Sequence, residues 1–357
     1  MKIEELDKNF IVNTKIGCEN IEFIDSTIEP FKFYGIIYEN NKFRRMPQKI
    51  ADSISDGVSK LNTNTSGGRI RFITDSPYIA ISVINNNPQE IGSMASHMTV
   101  AAICGFDIYS RECGKEVYQG TFMPPYNMAE SYENIIYFSY SKKREITINF
   151  PLYSDVSKLY IGIQKGSALL PPNEYQIAEP IVYYGSSITQ GACVTRPGCI
   201  YQNIISRDLN CDYLNLGFSG NAKAEKAIAN FIAKLKMSVF VFNYDHNATD
   251  VDFLNATHQS MFNIIRQSNP YLPIIITSRP KKNLNDDELK RLNIIKKTYQ
   301  SAVKNGDSNV YFIPGNKIYD EQVSQIALVD NCHPADVGAL YIAKKIEKEL
   351  KRILLYP

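Results

Sequence analysis

The sequence VYYGSSITQG, residues 182–191, joins an apolar run to two adjacent serines that lie between two glycines. The run is typical of a strand buried on both faces, and the glycine and serines after it indicate a sharp turn into a helix. Such a turn lies at the carboxyl end of a parallel strand, where α/β proteins bind their ligands. The stretch alone leaves open whether it is an ordinary turn or holds a reactive serine.

The rest of the second half alternates apolar runs with helical patterns. The runs are IVYYG, DYLNLG, SVFVFN, LPIIITS and NVYFIPG. Helices are predicted over about residues 286–304 and 335–353, each with one apolar face. The predicted inward residues are Leu289, Leu292, Ile295, Tyr299 and Val303, and then Leu340, Ala343, Ile346, Leu350 and Ile353. This alternation predicts a parallel, doubly wound sheet with helices on both sides.

The first half is instead rich in short strand patterns separated by turn signals such as NTSGG and NNNP. In EITINF, the side chains of Ile146, Ile148 and Phe150 alternate with polar ones. The segment HMTVAAI, residues 97–103, is also predicted as a strand. Many short strands without a long helix indicate an antiparallel β-sandwich, most simply a jelly roll. Prolines near residues 164–180 mark a linker, so the predicted domains are residues 1–178 and 179–357.

Composition excludes several functional classes. The 357 residues are 44% hydrophobic and carry a formal net charge of +2, which favours a folded protein without a nucleic-acid or membrane partner. The N-terminus shows no secretory signal and no run is long enough to span a membrane, so a cytoplasmic location is expected. Seven scattered cysteines without a C-x-x-C pair indicate reduced thiols and no structural zinc site. No metal and no cofactor are predicted.

A histidine base can be sought exhaustively because the chain contains four histidines. His97 falls in the predicted strand 97–103 and is interpreted as a sandwich residue. His258 lies in a helical stretch, and His246 lies in a loop after a predicted strand. His333 follows Asp330 by three residues in DNCHP, a spacing that lets the carboxylate hold the Nδ1–H group of the imidazole. A helix cap with an exposed histidine is the alternative interpretation of that spacing.

Taken together, four loops resemble the SGNH, or GDSL, hydrolase superfamily. YGSSITQG resembles its first block, which implies that Ser187 is the nucleophile. NLGFSGN resembles the second block and YDHN the third, which implies that Gly220 and Asn247 join the Ser187 backbone in the oxyanion hole. DNCHP resembles the last block, which implies that His333 is the base and Asp330 its orienting acid. The resemblance covers about residues 180–357 and implies a three-layer αβα, flavodoxin-like catalytic domain with a parallel sheet.

Two departures from the family pattern limit what the resemblance implies. Ser186 stands where the first block commonly has an aspartate, and Tyr244-Asp245-His246 stands where the third commonly has Gly-Gly before the asparagine. The Gly-Ser-Ser form behind a β-rich domain resembles a two-domain subgroup whose relatives act on acylated carbohydrates or transfer acyl groups. Asp245 and His246 are therefore treated as candidate substrate-binding residues only.

Other polar residues near these loops have two interpretations. Arg196 and Arg279 could bind a substrate carboxylate or sugar hydroxyl, or could be ordinary surface arginines. Ser219, in GFSG, lacks the second glycine of a G-x-S-x-G nucleophile elbow and is interpreted as a turn residue. Cys332 is expected to point away from His333, so a catalytic Cys–His pair is not predicted.

The predicted activity is hydrolysis of short-chain acyl esters, acetyl esters first, on a small molecule or glycan. No long apolar lid segment that would suit a fatty chain is visible in the second half. An O-acyltransferase with the same triad and a lipase- or lysophospholipase-type esterase are the alternatives. A non-catalytic glycan-binding protein is disfavoured because all five block residues are present.

Overall fold

The computed structural model describes residues 3–13, 15–85, 96–125 and 131–355. The strands of its N-terminal part are β1 Ile21–Asp25, β2 Lys32–Tyr34, β3 Ile37–Glu39, β4 Lys42–Arg44, β5 Arg69–Thr74, β6 Tyr78–Ile84, β7 Phe106–Glu112, β8 Lys115–Phe122, β9 Ser131–Tyr137, β10 Arg144–Asn149, β11 Lys158–Gln164 and β12 Leu169–Leu170. The helices in this part are α1 Ile3–Leu6, α2 Gln48–Asp52, α3 Asp56–Leu61 and α4 Val100–Cys104.

Ten of these strands form two facing antiparallel sheets, as predicted, and β3 and β4 pair separately as a two-stranded antiparallel sheet. One sheet has the order β1-β11-β6-β9, and the other has the order β12-β5-β10-β7-β8 with β2 added against β5. Apolar side chains between them, including Ile81, Ile161, Ile146 and Phe72, form one buried cluster. The sandwich is held together by this layer because alternate residues of each strand point into it.

The polar face of β10 is buried as well. Thr147 Oγ1 donates to Glu116 at 2.8 Å, and the Asn149 amide donates to Asp107 at 2.8 Å. Glu145 accepts from Arg71, also at 2.8 Å. The alternation in EITINF is therefore correct, but its polar side faces other protein groups and is not solvated.

The strand predicted over residues 97–103 is wrong. Residues 100–104 form α4, whose first turn is capped by Thr99: the Thr99 side chain accepts from the Ala102 N–H group. A capping threonine satisfies an N–H group that lacks an intrahelical acceptor, and this outweighs the β-propensity of the short apolar run. His97 lies in the turn before this helix.

The second part contains the strands β13 Ile177–Gly185, β14 Cys211–Gly217, β15 Val239–Asn243, β16 Ile274–Thr277 and β17 Val310–Ile313. They pair in the order β14-β13-β15-β16-β17, and every pair is parallel. The helices are α5 Ser187–Gln190, α6 Tyr201–Leu209, α7 Lys226–Ile232, α8 Val251–Ser268, α9 Asp286–Lys304, α10 Glu321–Ser324 and α11 Asp336–Leu354. The predicted doubly wound sheet is confirmed.

Helices cover both faces of this sheet. Tyr183 of β13 belongs to the core that includes α6 and α11, whereas its neighbour Tyr184 belongs to the core that includes α7, α8 and α9. Successive strand residues point to opposite faces, so a strand covered on both sides must be apolar throughout. β12 ends at Leu170 and β13 begins at Ile177; the domain boundary after residue 178 stays a prediction.

Parts of the two predicted helix faces are wrong. Leu289, Val303 and Leu340 are exposed. In α9 the polar residues Glu288 and Arg291 are buried because they bind neighbouring loops, and this turns the helix away from its most apolar face. No helix among the described residues is long and apolar enough to cross a bilayer.

Candidate active site

The turn after β13 places Ser187 at the start of a helix. Ser186 is the N-cap of α5, and its hydroxyl accepts from the Ile188 N–H group at 3.3 Å. Gly185 leaves no room for a side chain, because a Cβ atom there would lie 2.0 Å from the Asn243 carbonyl oxygen. Ser186 is fully buried, so the residue that replaces the family's common aspartate has a capping role.

Ser187 and His333 are brought together. Ser187 Oγ lies 2.8 Å from His333 Nε2, and Ser187 is 7% exposed. On the far side of the ring, His333 Nδ1 lies 2.7 Å from Asp330 Oδ2. The three side chains thus form one hydrogen-bonded chain from hydroxyl to carboxylate, an arrangement that can activate a serine for acyl transfer.

A tight turn orients the carboxylate. Asp330 Oδ1 accepts from the backbone N–H groups of Cys332, at 3.1 Å, and His333, at 2.7 Å. With Oδ1 engaged in this way, Oδ2 is directed at the imidazole. Partial burial raises the pKa of Asp330, but the hydrogen bonds and charge of His333 outweigh it and lower that pKa to about 2. The carboxylate is therefore ionised at neutral pH.

The loops that contain Gly220 and Asn247 are connected to the nucleophile helix. Gln190, at the end of α5, accepts from the Ser219 N–H group through Oε1 at 2.9 Å. Asn247 Oδ1 accepts from the Ala222 N–H group at 3.2 Å. Gly220 has a φ of +68°, and the space where its side chain would be is open. Ser187, Gly220 and Asn247 thus lie in loops that contact one another at the same edge of the sheet.

Asp245 and His246 of the YDHN segment contact other loops of the domain. Asp245 is buried, and its Oδ2 accepts from the Arg279 N–H group at 3.0 Å; burial raises the pKa of this carboxyl group. His246 Nδ1 lies 3.4 Å from Cys332 Sγ. Burial and the nearby Arg279 hold the pKa of His246 well below its usual range. Cys332 therefore contacts His246 rather than His333, and a substrate-binding role of Asp245 and His246 stays a prediction.

The two candidate arginines are engaged within the protein. Arg196 Nη1 lies 2.6 Å from Asp107 Oδ2 and 2.5 Å from Tyr109 Oη, so it connects the second domain to the sandwich. Arg279 Nη1 lies 2.6 Å from Glu288 Oε1. Both guanidinium groups thus have carboxylate partners within the protein, and a substrate-binding role of Arg196 and Arg279 stays a prediction.

The sandwich domain supports the nucleophile turn, which sequence reasoning missed. Ser66 Oγ donates to the Gln190 carbonyl oxygen, at 2.5 Å. The Gln190 amide in turn donates to the Leu152 carbonyl oxygen, at 3.2 Å. Asp107 Oδ2 accepts from the Gly198 N–H group at 2.7 Å. A buried aspartate in the apolar strand GFDIYSR was the signal that could have found this interface.

His97 was interpreted as a sandwich residue within a strand, but it lies in the turn before α4. Its Nε2 lies 3.9 Å from Asp330 Oδ2, and its ring centroid lies 5.7 Å from that of His333. The error follows from the helix α4, which places the turn before it at the domain interface. His258, in contrast, lies in α8 as expected, where it is buried with Nδ1 2.8 Å from Thr298 Oγ1.

Two family profiles match the chain in tandem. The GDSL-like lipase/acylhydrolase family matches residues 178–351, and a domain described as the N-terminus of SGNH hydrolase-type esterases matches residues 21–169. No curated protein matches the sequence.

Solved structures of similar architecture cover most of the chain. A GDSL-like protein from Bacteroides ovatus is 26% identical with a TM-score of 0.84, over 94% of this chain and 98% of its own. The salicylyl-acyltransferase SsfX3 from a tetracycline biosynthetic pathway is 18% identical with a TM-score of 0.74, and the match covers 94% of this chain and 99% of SsfX3. The acetyl xylan esterase Est2A from the rumen bacterium Butyrivibrio proteoclasticus is 12% identical with a TM-score of 0.60, and the match covers 94% of this chain and 99% of Est2A.

The last two likenesses, at 18% and 12% identity, establish the fold alone. The two profiles and the Bacteroides structure agree on both halves of the molecule and on their order along the chain. The chain therefore belongs to the GDSL/SGNH esterase and acylhydrolase family, in the form that carries an N-terminal β-sandwich.

Proposed function

We propose that this protein is a serine esterase that hydrolyses short-chain acyl esters, acetyl esters first, of a carbohydrate. The observation that carries the proposal is the chain of hydrogen bonds in which Ser187, His333 and Asp330 are joined at 2.8 Å and 2.7 Å. In this proposal Ser187 is the nucleophile, His333 the general base and Asp330 the residue that orients the base.

Acylation begins when Ser187 Oγ attacks the ester carbonyl carbon while His333 Nε2 takes its proton. Asp330 keeps the other ring proton on Nδ1 and stabilises the imidazolium that forms. His333 then gives its proton to the departing sugar hydroxyl. Water, activated by the same imidazole, cleaves the acyl-enzyme and releases the acid.

The negative charge on the tetrahedral intermediate needs donors that are already in place. The N–H group of Ser187 is suitable because the first residues of a helix have no intrahelical acceptor. The Gly220 N–H group and the Asn247 amide are the other proposed donors. Since Asn247 Oδ1 already accepts from Ala222, its Nδ2 group is the part available to the substrate.

Two observations favour an acetylated carbohydrate as the substrate. The second half of the sequence contains no long apolar lid segment, and the fold is similar to that of an acetyl xylan esterase. A series of p-nitrophenyl esters from acetate to decanoate, with acetylated xylo-oligosaccharides in parallel, tests this choice. Acetate and the acetylated sugars should be the best substrates, and a maximum at octanoate or longer would contradict the proposal.

The reaction itself is tested by Ser187→Ala, compared with Ser219→Ala as a matched serine control in the neighbouring loop. Ser187→Ala should lose acetate release while its circular dichroism spectrum is unchanged, and Ser219→Ala should keep activity. Full activity of Ser187→Ala would overturn the assignment.

An acyltransferase is the second candidate, because the fold is also that of a salicylyl-acyltransferase. The two activities share the acyl-enzyme and differ in whether water or a hydroxyl compound removes the acyl group. Product analysis with an added sugar or alcohol acceptor separates them. Esterase activity predicts free acid as the main product, and a dominant transfer product would favour the acyltransferase.

A further inference from the structure

The catalytic-site histidine His333 lies close to two other side chains that can bind a metal ion. These two are His97, from the sandwich domain, and Cys193, from the loop after α5. One nitrogen or sulfur atom of each of the three residues lies within 4.8 Å of the other two. This is the one such group found among the described residues, 3–13, 15–85, 96–125 and 131–355. It joins three distant parts of the sequence and both halves of the fold.

Two of the three side chains differ in exposure. The His97 side chain is 39% exposed, whereas Cys193 is 7% exposed. Cys193 also has a φ of +69°, a left-handed conformation that is uncommon for residues other than glycine. Of these two, His97 therefore has more room to move towards a bound ion.

Two imidazoles and one thiol are the ligand types that zinc prefers, and three protein ligands leave a position open for water. In a tetrahedral zinc site, ligand atoms lie about 3.5 Å apart. The atoms here lie within 4.8 Å of one another, so a bound ion needs only a small movement of the more exposed His97 side chain. Asp330 Oδ2 lies 3.9 Å from His97 Nε2 at the same place.

Both ring nitrogens of His333 are already used. Nε2 faces Ser187 at 2.8 Å, and Nδ1 faces Asp330 at 2.7 Å. A metal ion that binds either nitrogen must therefore displace one of these contacts. Ion binding and general-base action by His333 exclude each other, whichever nitrogen the ion takes.

We propose that His97, Cys193 and His333 bind Zn²⁺ and that the bound ion reversibly inhibits the enzyme. Binding releases the thiol proton of Cys193 to solvent as the zinc–sulfur bond forms. The inhibition rests on the proposed esterase function, whereas the metal site does not. The sandwich domain would then contribute a ligand to a regulatory site in the catalytic centre.

A second thiol–imidazole pair lies close by and is the main rival site. Cys332 Sγ is 3.4 Å from His246 Nδ1, and Cys332 is adjacent to His333 in the chain. Cys332→Ser is therefore the matched control for Cys193→Ser, since it removes a neighbouring thiol that is not in the proposed site.

The test uses the full-length protein after dialysis against a chelator. Zinc binding is measured by calorimetry, Co²⁺ binding by the thiolate charge-transfer absorption, and inhibition by the initial rate on p-nitrophenyl acetate. The wild type should bind one ion, show the thiolate absorption and regain activity when the chelator is returned. His97→Asn should bind zinc about tenfold more weakly or worse, Cys193→Ser should lose the absorption, and Cys332→Ser should match the wild type.

His97→Asn keeps the test valid if the buried Cys193→Ser variant does not fold, because His97 is exposed. Absence of zinc binding by the wild type, or equal binding by wild type and His97→Asn, would overturn the site. Loss of binding in Cys332→Ser would assign the ion to the rival pair. If zinc binds as proposed but the initial rate on p-nitrophenyl acetate is unchanged, the proposed inhibition is wrong. If the protein cleaves no ester at all, the proposed esterase function is wrong, and calorimetry and the Co²⁺ absorption still show whether the metal site exists.

Discussion

Ser187 Oγ and His333 Nε2 lie 2.8 Å apart although the two residues are 146 positions apart in the sequence. Two separate turns create this contact: the capped start of α5 after β13, and the Asp330–His333 turn before α11. The sandwich domain supports the first turn through Ser66 and Asp107. The contact is therefore a property of both halves of the molecule.

Replacement of Ser186 tests its role as the cap of the nucleophile helix. Ser186→Ala removes the hydroxyl that accepts from Ile188, and loss of such a cap costs about 1 kcal/mol of unfolding free energy. Urea unfolding monitored by circular dichroism measures this change. Ser53→Ala, at an exposed C-cap, is the control and should change stability by less than about 0.5 kcal/mol. Equal effects of the two substitutions would show that capping is not the role of Ser186.

Asn247→Ala tests the proposed oxyanion donor. Loss of one such donor lowers turnover by about 10²–10³-fold, because the interaction is formed chiefly in the transition state. We expect kcat to fall by that factor while KM changes little, measured on p-nitrophenyl acetate. Asn305→Ala, at an exposed position after α9, should leave both constants unchanged. A change in KM alone would instead indicate a role for Asn247 in ground-state binding.

Asp107→Ala tests the domain interface. Asp107 is fully buried and accepts from Arg196 and from the Gly198 N–H group. Removal of one partner from a buried pair costs about 3–5 kcal/mol, because the other charge loses its compensation. Glu174→Ala breaks the exposed pair with Lys32 and should cost about 1 kcal/mol or less. Similar denaturation midpoints for the two variants would contradict a structural role for Asp107.

The pKa of Asp330 determines the pH range in which acid weakens the Asp330–His333 turn. Folding lowers this pKa to about 2, and a carboxyl group of lowered pKa stabilises the native state above its unfolded value of about 3.9. That stabilisation is lost as pH falls towards 2. The difference in unfolding free energy between wild type and Asp330→Asn should thus shrink between about pH 4 and 2. A difference that already shrinks between about pH 7 and 5 would contradict the lowered pKa.

Much of the second half could be predicted from the sequence because its signals are local. A strand covered by helices on both faces must be apolar throughout, as in VYYG and VFVFN, and the order of the loops then follows from the parallel topology. The Asp330–His333 contact was also predictable, since a turn of three residues is enough to form it. The family profile supports the same reading of this half.

The parts that failed depend on long-range contacts. His97 was misplaced because a short apolar run beside a capping threonine can be a strand or a helix, and only packing decides between them. Leu289 and Val303 were predicted as buried, but Glu288 and Arg291 take the inner face of α9. Glu288 binds Arg279, nine residues away, and Arg291 binds the Asp245 carbonyl oxygen, 46 residues away. The Arg196–Asp107 contact could not be predicted either, because its partners lie 89 residues apart, and a substrate-binding role of Arg196 stays a prediction.

Covalent labelling of the nucleophile tests the central claim most directly. Native protein is treated with a fluorophosphonate, and the modified peptide is identified by mass spectrometry, with Ser187→Ala and Ser219→Ala treated in parallel. The account predicts one adduct, on Ser187, which is absent from Ser187→Ala and retained in Ser219→Ala. An adduct on Ser219, or an active enzyme that carries no label on Ser187, would contradict it.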